Sequence, residues 1–174
     1  MTPSKTPSVS ATTMTEMIMP NDTNPLNNLM GGKLMHFMDI AGAIAAQKHG
    51  NKIVVTASVD NISFQQPIRL GSVVTIEAKL TRAFSSSMEV HIEVTSEYIP
   101  EGTKVKSHEA FFTYVAVDEN TKKPTRVPEL IPETEEEKGL FESALTRRTL
   151  RLVMAGRIAP EDASLDIASL VSSR

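Results

Sequence analysis

Residues 28–50, NLMGGKLMHFMDIAGAIAAQKHG, limit what this chain can fold into more than any other stretch. Leu34, Met38, Ala41 and Ala45 recur at helical spacing, the stripe of an α-helix turned toward a core. The pair Gly31-Gly32 opens the helix, and His49-Gly50 closes it with a basic last turn and a C-cap glycine. Positions 40–46 carry no polar side chain, which predicts a helix buried on most sides. In the middle of it sits one carboxylate, Asp39. A charge there costs on the order of several kcal/mol unless it is paired, hydrogen-bonded or neutralised, so Asp39 is the first candidate for chemistry. The plainer alternative makes Asp39 the cap of a helix that starts at Ile40. Against it, the residue three places on is Gly42, which forms no capping box. Leu34, Met35, Phe37 and Met38 also keep the helical period upstream, so the carboxylate is read as lying inside the helix.

Around this helix the pattern is that of strands. The polar start predicts a disordered tail over residues 1–8 and contains no signal peptide. Val9, Ala11, Thr13, Thr15 and Met17 alternate over a modest first strand, residues 9–18, which Pro20, Asn21 and Asp22 stop. A turn-rich segment with four asparagines, residues 21–28, leads into the helix. After it, residues 53–60 are apolar on both faces, as in a well-covered strand, with Phe64 as the far limit. Residues 74–81 and 88–95 each show one dry and one wet face, and residues 106–117 form a last long strand. Thr134-Glu135-Glu136-Glu137 is a capping box that starts a second helix. Arg147, Arg148 and Arg151 fall near its far end, where the helix dipole favours cations. The expected architecture is α+β, a single domain over residues 9–155 with a tail at 156–174. One helix cannot cover a curved sheet of five or more strands, so pairing with a second copy is expected.

At 174 residues, with 40% hydrophobic and 22% charged residues, the chain can build a real core. A net charge of −3 gives no general reason to expect nucleic acid. No apolar run spans a bilayer, and zero cysteines exclude disulfides, thiolate metal sites and a cysteine nucleophile; a cytoplasmic location is expected. There is no G-x-S-x-G elbow and no phosphate-binding glycine loop. The four histidines lack metal spacing, so no metal is expected, and His91 and His36 read as surface or packing residues. What remains is the glycine-opened helix N-terminus, an Asn-rich loop before it and Asp39. Backbone N–H groups at a helix start polarise a carbonyl oxygen, and glycine admits a substrate close to the backbone. A carboxylate nearby activates water or attacks directly, and an asparagine orients water or a carbonyl. These parts suit hydrolysis of an activated acyl group.

The run from Asn28 to Asp39, NLMGGKLMHFMD, resembles the N-x-x-G-G-x-L-(M)-x-x-M-D signature of hotdog-fold acyl-CoA thioesterases, the broad-specificity acyl-CoA hydrolase group. The likeness continues through VVTASVD, FQQPI, GSVV, SSM and FTYVAVD, in that order and spacing, over about residues 10 to 150. The resemblance implies an antiparallel sheet of five or six strands wrapped around the central helix. It also implies homodimers, assembled as trimers of dimers, with the site at the dimer interface. Asp39 takes the place of the general base or nucleophile, and Asn28 faces it from the other subunit. Gly31 and Gly32 hold the thioester oxygen, and Thr56, Ala57 and Ser58 line the pantetheine tunnel. Arg82 and Ser85, Ser86 and Ser87 lie near the nucleotide end. Acyl-CoA is then the substrate, coenzyme A enters only as part of it and leaves as product, and no cofactor is implied.

Within the same fold, Asp22-Thr-Asn-Pro-Leu-Asn27 resembles the D-x-N-P-L-H loop of hotdog enoyl-CoA hydratases. Asn27 stands where that loop needs histidine, so the acid–base pair is broken. An acyl-CoA-sensing regulator carries a DNA-binding segment ahead of the domain, for which residues 1–20 leave no room. A non-catalytic acyl-CoA-binding module is the other alternative, and Asp39 argues against it.

Overall fold

The computed structural model describes residues 3–163, apart from 61, 63 and 65. Its elements follow the chain as β1 (Thr12–Met17), α1 (Gly31–Gly50), β2 (Ile53–Asp60), β3 (Val73–Ala83), β4 (Ser87–Tyr98), β5 (Thr103–Val117) and α2 (Glu135–Met154). The strands form one antiparallel sheet in the order β1-β3-β4-β5-β2, leaving β1 and β2 as its edges.

The period-two patterns put Val74, Ile76 and Leu80 of β3, Val90 and Ile92 of β4, and Phe112 and Tyr114 of β5 on one face, each at most 1% exposed. Helix α1 lies across that face with Leu34, Met38, Ala41 and Ala45 turned into it. Each large side chain buried here contributes about 1.5–3 kcal/mol relative to exposure. Helix α2 packs on the opposite face, starting from the expected capping box: Thr134 Oγ1 accepts the Glu137 N–H, and Glu137 Oε2 accepts the Thr134 N–H.

Four expectations change. Helix α1 is not buried on most sides, because Met35, Ile40 and Ile44 stay 38–40% exposed on the flank away from the sheet. At the sheet edge, strand β2 also exposes Ile53, Val55 and Val59. The first strand starts at Thr12, since residues 7–10 form a 3-10 turn in which Ser10 Oγ donates to the Pro7 carbonyl and accepts the Leu80 N–H. The face carrying Ala11, Thr13, Thr15 and Met17 is the exposed one. From Lys5 onward the N-terminal segment is tied down: the Lys5 N–H donates to the Glu129 carbonyl, the Ile131 N–H donates to that of Lys5, and Lys5 Nζ caps the carbonyls of Lys48 and His49 at the end of α1. Residues 164–174 of the expected C-terminal tail lie outside the described residues.

The fourth change concerns β2. A β-bulge at Ala57 shifts the register between Thr56, opposite Tyr114, and Ser58, opposite Thr113. A strict alternation keeps Thr56 and Asp60 on one face. The bulge instead sends Thr56 and Val59 toward α1, and Asp60 to the α2 side, where Arg151 binds it.

Candidate active site

Asp39 sits in the ninth position of α1, well inside it, so it is not a cap. Its Oδ1 accepts a hydrogen bond from Thr56 Oγ1 at 2.7 Å and one from the Tyr114 hydroxyl at 3.2 Å. Thr56 and Tyr114 are direct cross-strand partners on β2 and β5, so one rung of the sheet holds one oxygen of the carboxylate. Among the described residues Oδ2 has no partner, and its lone pairs are left for chemistry.

Tyr114 is fully buried and also donates to the Asp39 backbone carbonyl at 3.0 Å. Burial first, then the charge of Asp39 and the bond to it, push the tyrosine hydroxyl far above its ordinary pKa. It therefore acts as a donor and not as an acid. Room for it comes from Gly42: a Cβ there lies 2.3 Å from the Tyr114 hydroxyl oxygen. Tyr114 and Gly42 were not among the residues singled out from the sequence. A tyrosine in the dry alternation Ala110, Phe112, Tyr114, Ala116 was the available signal, because a buried phenol must find a partner.

The N-terminus of α1 is uncapped. Met30 makes no side-chain cap, the Lys33 and Leu34 N–H groups turn back to the Met30 carbonyl, and those of Gly31 and Gly32 have no partner among the described residues. Nothing lies within 4 Å of where a Cβ on Gly32 would stand, whereas one on Gly31 meets the Phe64 ring at 3.1 Å. Eight residues of helix, about 12 Å of rise, separate Gly31 from Asp39. Within one protomer these amides and this carboxylate do not reach the same carbonyl.

Asn28 is half-buried in the loop before α1, bridged to Arg69, and no hydrogen bond links it to Asp39 within the protomer. In the same loop Asn24 Oδ1 accepts the Leu26 and Asn28 N–H groups, which fixes the amide plane and leaves its nitrogen without a partner among the described residues. Asn27 takes a left-handed φ of 58°. Ala57 is the exposed bulge residue, and Ser58 lies half-buried beyond it.

The expected nucleotide end lies elsewhere in the protomer. Ser85, Ser86 and Ser87 form the β3–β4 tip, where their carbonyls accept the Val127, Ala116 and Phe84 N–H groups. Neighbouring Met88 and Val127 pack at Gly50, the opposite end of α1 from Gly31. Arg82 stacks on Phe141 of α2 at 3.8 Å and donates to its carbonyl. Arg147 and Arg151 are not free helix-end cations. Arg147 binds the fully buried Glu89 at 2.8 Å and stacks on Phe111, while Arg151 bridges Glu89 and Asp60. Only Arg148 of the three is exposed, lying over Phe84.

His91 is half-buried rather than plain surface, with Nε2 2.9 Å from Glu109 Oε1 and its ring stacked on Phe111. With Glu93 and Glu109 it brings three donor atoms within 4.8 Å of one another, but the Lys106 ammonium already binds both carboxylates.

The Thioesterase superfamily profile matches residues 26–102. An uncharacterized acyl-CoA thioester hydrolase of Bacillus subtilis, YkhA, is 40% identical over 137 residues, 79% of this chain and 79% of its own. The chain belongs to the thioesterase superfamily. A crystal structure of an apo-hexameric acyl-CoA thioesterase superposes with a TM-score of 0.83 at 38% identity, over 88% of this chain and 97% of that one. This thioesterase therefore has the hotdog fold, its sheet wrapped around α1. An acyl-CoA hydrolase of Staphylococcus aureus, solved with butyryl coenzyme A, coenzyme A and coenzyme A disulfide, gives a TM-score of 0.80 at 32% identity, over 89% of this chain and 96% of that one. The same enzyme has been solved with an aspartate, an asparagine or a threonine changed to alanine, the asparagine variant in complex with coenzyme A. The thioesterase spans only 24% of mouse acyl-coenzyme A thioesterase 11 and 38% of the rat cytosolic acyl coenzyme A thioester hydrolase, both of which it also matches.

Proposed function

We propose that the protein hydrolyses fatty acyl-CoA to free fatty acid and coenzyme A, with Asp39 as the reacting carboxylate. The observation that carries this is the half-clamped geometry of Asp39: Oδ1 is held by Thr56 and Tyr114, and Oδ2 is open. As general base, Oδ2 takes a proton from water as the water oxygen adds to the thioester carbonyl. The tetrahedral oxyanion then collapses, the C–S bond breaks, and the thiolate leaves and is protonated. As nucleophile, Oδ2 adds to the same carbonyl, the C–S bond breaks with loss of the thiolate, which is protonated, and water hydrolyses the resulting anhydride to the free acid and the Asp39 carboxylate. In either case the N–H groups of Gly31 and Gly32, without a partner among the described residues, suit the developing oxyanion. The reaction draws on water and needs no resident cofactor.

Because Gly31 and Asp39 stand about 12 Å apart on one helix, the site needs a second copy, which brings its own helix N-terminus to Asp39. The apolar flank of α1 and edge β2, with Ile40, Ile44 and Val59 on the side of Asp39 and Thr56, is the surface for that copy. The thioesterase is accordingly a homodimer or a trimer of dimers. The asparagine that crosses the interface is expected at Asn28. Asn24 has separate support, since the spacing of the three residues changed to alanine in the Staphylococcus enzyme is matched here by Asn24, Asp39 and Thr56. A cytoplasmic location belongs to the same proposal; among the described residues no helix is long and apolar enough to cross a membrane.

The test is thiol release from acyl-CoA substrates of graded chain length, by wild type and Asp39→Asn. Turnover that falls by about 10²-fold or more in a folded variant is expected for loss of the base or nucleophile. Unchanged turnover in the variant, or none in wild type on any acyl-CoA, overturns the proposal.

A further inference from the structure

His108, on β5 opposite Val94, is 5% exposed, and neither of its ring nitrogens has a hydrogen-bond partner among the described residues. An imidazole so placed ordinarily finds a partner, because leaving a buried polar group unpaired is costly. It does not serve Asp39. Its ring lies 5.6 Å from that of Phe64, and Phe64 is the side chain that covers Gly31 at the open N-terminus of α1. Burial alone holds the imidazole below its ordinary pKa, with no charged group acting on it. It is therefore neutral, one nitrogen a donor and the other an acceptor.

Resting on the acyl-CoA reading above, we propose that His108 is a specificity residue that recognises an oxygen substituent on the acyl chain, a hydroxyl or a keto group. The thioester carbonyl seats at the free N–H groups of Gly31 and Gly32, and the two halves of the substrate run outward from there. The coenzyme A half ends in a charged nucleotide and must lead to water. The acyl half takes the closed side, past Phe64. Phe64 is 51% exposed within the single protomer, and rotation of its ring away from Gly31 uncovers His108 to the acyl chain. A neutral imidazole accepts from a hydroxyl or donates to a keto oxygen. A plain alkyl chain leaves both nitrogens as unpaired as they are now.

The experiment compares hexanoyl-CoA with hexanoyl-CoA hydroxylated at C3 or C5, in wild type, His108→Leu and His108→Gln. In wild type, kcat/KM for one hydroxylated substrate is expected to exceed that for hexanoyl-CoA by about tenfold, the scale of one buried hydrogen bond. His108→Leu brings that ratio close to one while hexanoyl-CoA turnover holds, and His108→Gln keeps most of it. Removing an unpaired imidazole also leaves the leucine variant at least as heat-stable as wild type. Robust hexanoyl-CoA turnover with no preference in wild type overturns this proposal and leaves the acyl-CoA reading standing. So does an equal fall on all three substrates in His108→Leu, which places the histidine against the pantetheine arm shared by them all. Absence of turnover on every acyl-CoA overturns both.

Discussion

The contact between Gly42 and Tyr114 makes a sharp prediction. In an isolated helix, Gly→Ala at an interior position stabilises by about 1 kcal/mol. At position 42 the new methyl stands 2.3 Å from the Tyr114 hydroxyl oxygen, 2.9 Å from Cζ and 3.0 Å from Ile92 Cδ1. The tyrosine cannot step aside, being fully buried with Phe112 alongside it at 6.3 Å between ring centroids. Overpacking costs about 1–3 kcal/mol. A hydroxyl pushed off Asp39 loses a bond to a charged group, about 1.5–3 kcal/mol. After the helix gain, Gly42→Ala should destabilise by roughly 1.5–5 kcal/mol, a fall of roughly 3–20 °C in Tm for a chain of this length. Turnover should fall as well, because Oδ1 then rests on Thr56 alone. The control is Tyr114→Phe, which removes the 2.3 Å clash but leaves the ring. Combined with Gly42→Ala it should be clearly less destabilising than the sum of the two single changes. Scanning calorimetry on the four proteins decides it. A Gly42→Ala variant as stable as wild type, or a strictly additive double variant, refutes the placement of the hydroxyl.

Other outcomes follow from the same geometry. Mixing Asp39→Asn chains with Asn24→Ala chains, and separately with Asn28→Ala chains, should restore thiol release only for the asparagine that crosses the interface; no recovery in either mixture after confirmed exchange refutes a shared site. Glu89→Ala leaves Arg147 buried without its carboxylate and should cost about 3–5 kcal/mol in a denaturant titration, with KM for acyl-CoA unchanged; a raised KM instead makes Arg147 and Arg151 phosphate ligands. Burial holds His49 and His108 below the ordinary value of 6.5, so their neutral forms favour the fold. That stability is full above about pH 6.5 and is lost as pH falls below it, and His108→Leu should flatten the slope of Tm against pH between 8 and 5. Glu109, held at about 2 chiefly by its bond to His91, contributes stability above its ordinary value of 4.5 that disappears as pH falls from there toward 2; His91→Phe should shrink that acid-side loss.

The core was legible because one-dimensional periods decide it. The alternations of residues 74–81, 88–95 and 106–117 became the inner faces of β3, β4 and β5, and the Leu34, Met38, Ala41, Ala45 stripe became the buried face of α1. The Thr134 cap was legible for the same reason, being wholly local. What stayed hidden depends on partners far along the chain. Arg147 and Arg151 look like dipole-matched surface cations until Glu89, about sixty positions away, is seen buried beneath them. Lys5 looks like part of a loose tail until the end of α1 supplies three acceptors for it.

The site divides along the same line. Asp39 stood out because a carboxylate in an apolar helix is anomalous in the sequence alone. The bulge at Ala57 has no such signature, since residues 53–60 alternate smoothly on paper, yet it decides what the strand contributes. Without it, Thr56 and Asp60 share a face, and either the carboxylate of Asp39 loses its threonine or Arg151 loses its aspartate. With it, one short stretch of β2 serves both sides of the sheet: Thr56 holds the reacting group on the α1 side and Asp60 anchors α2 on the other. The helix that closes the back of the sheet is thereby bonded to the strand that aims the carboxylate. Loosening α2 should therefore be felt at Asp39, although among the described residues no hydrogen bond or ion pair joins α2 to it.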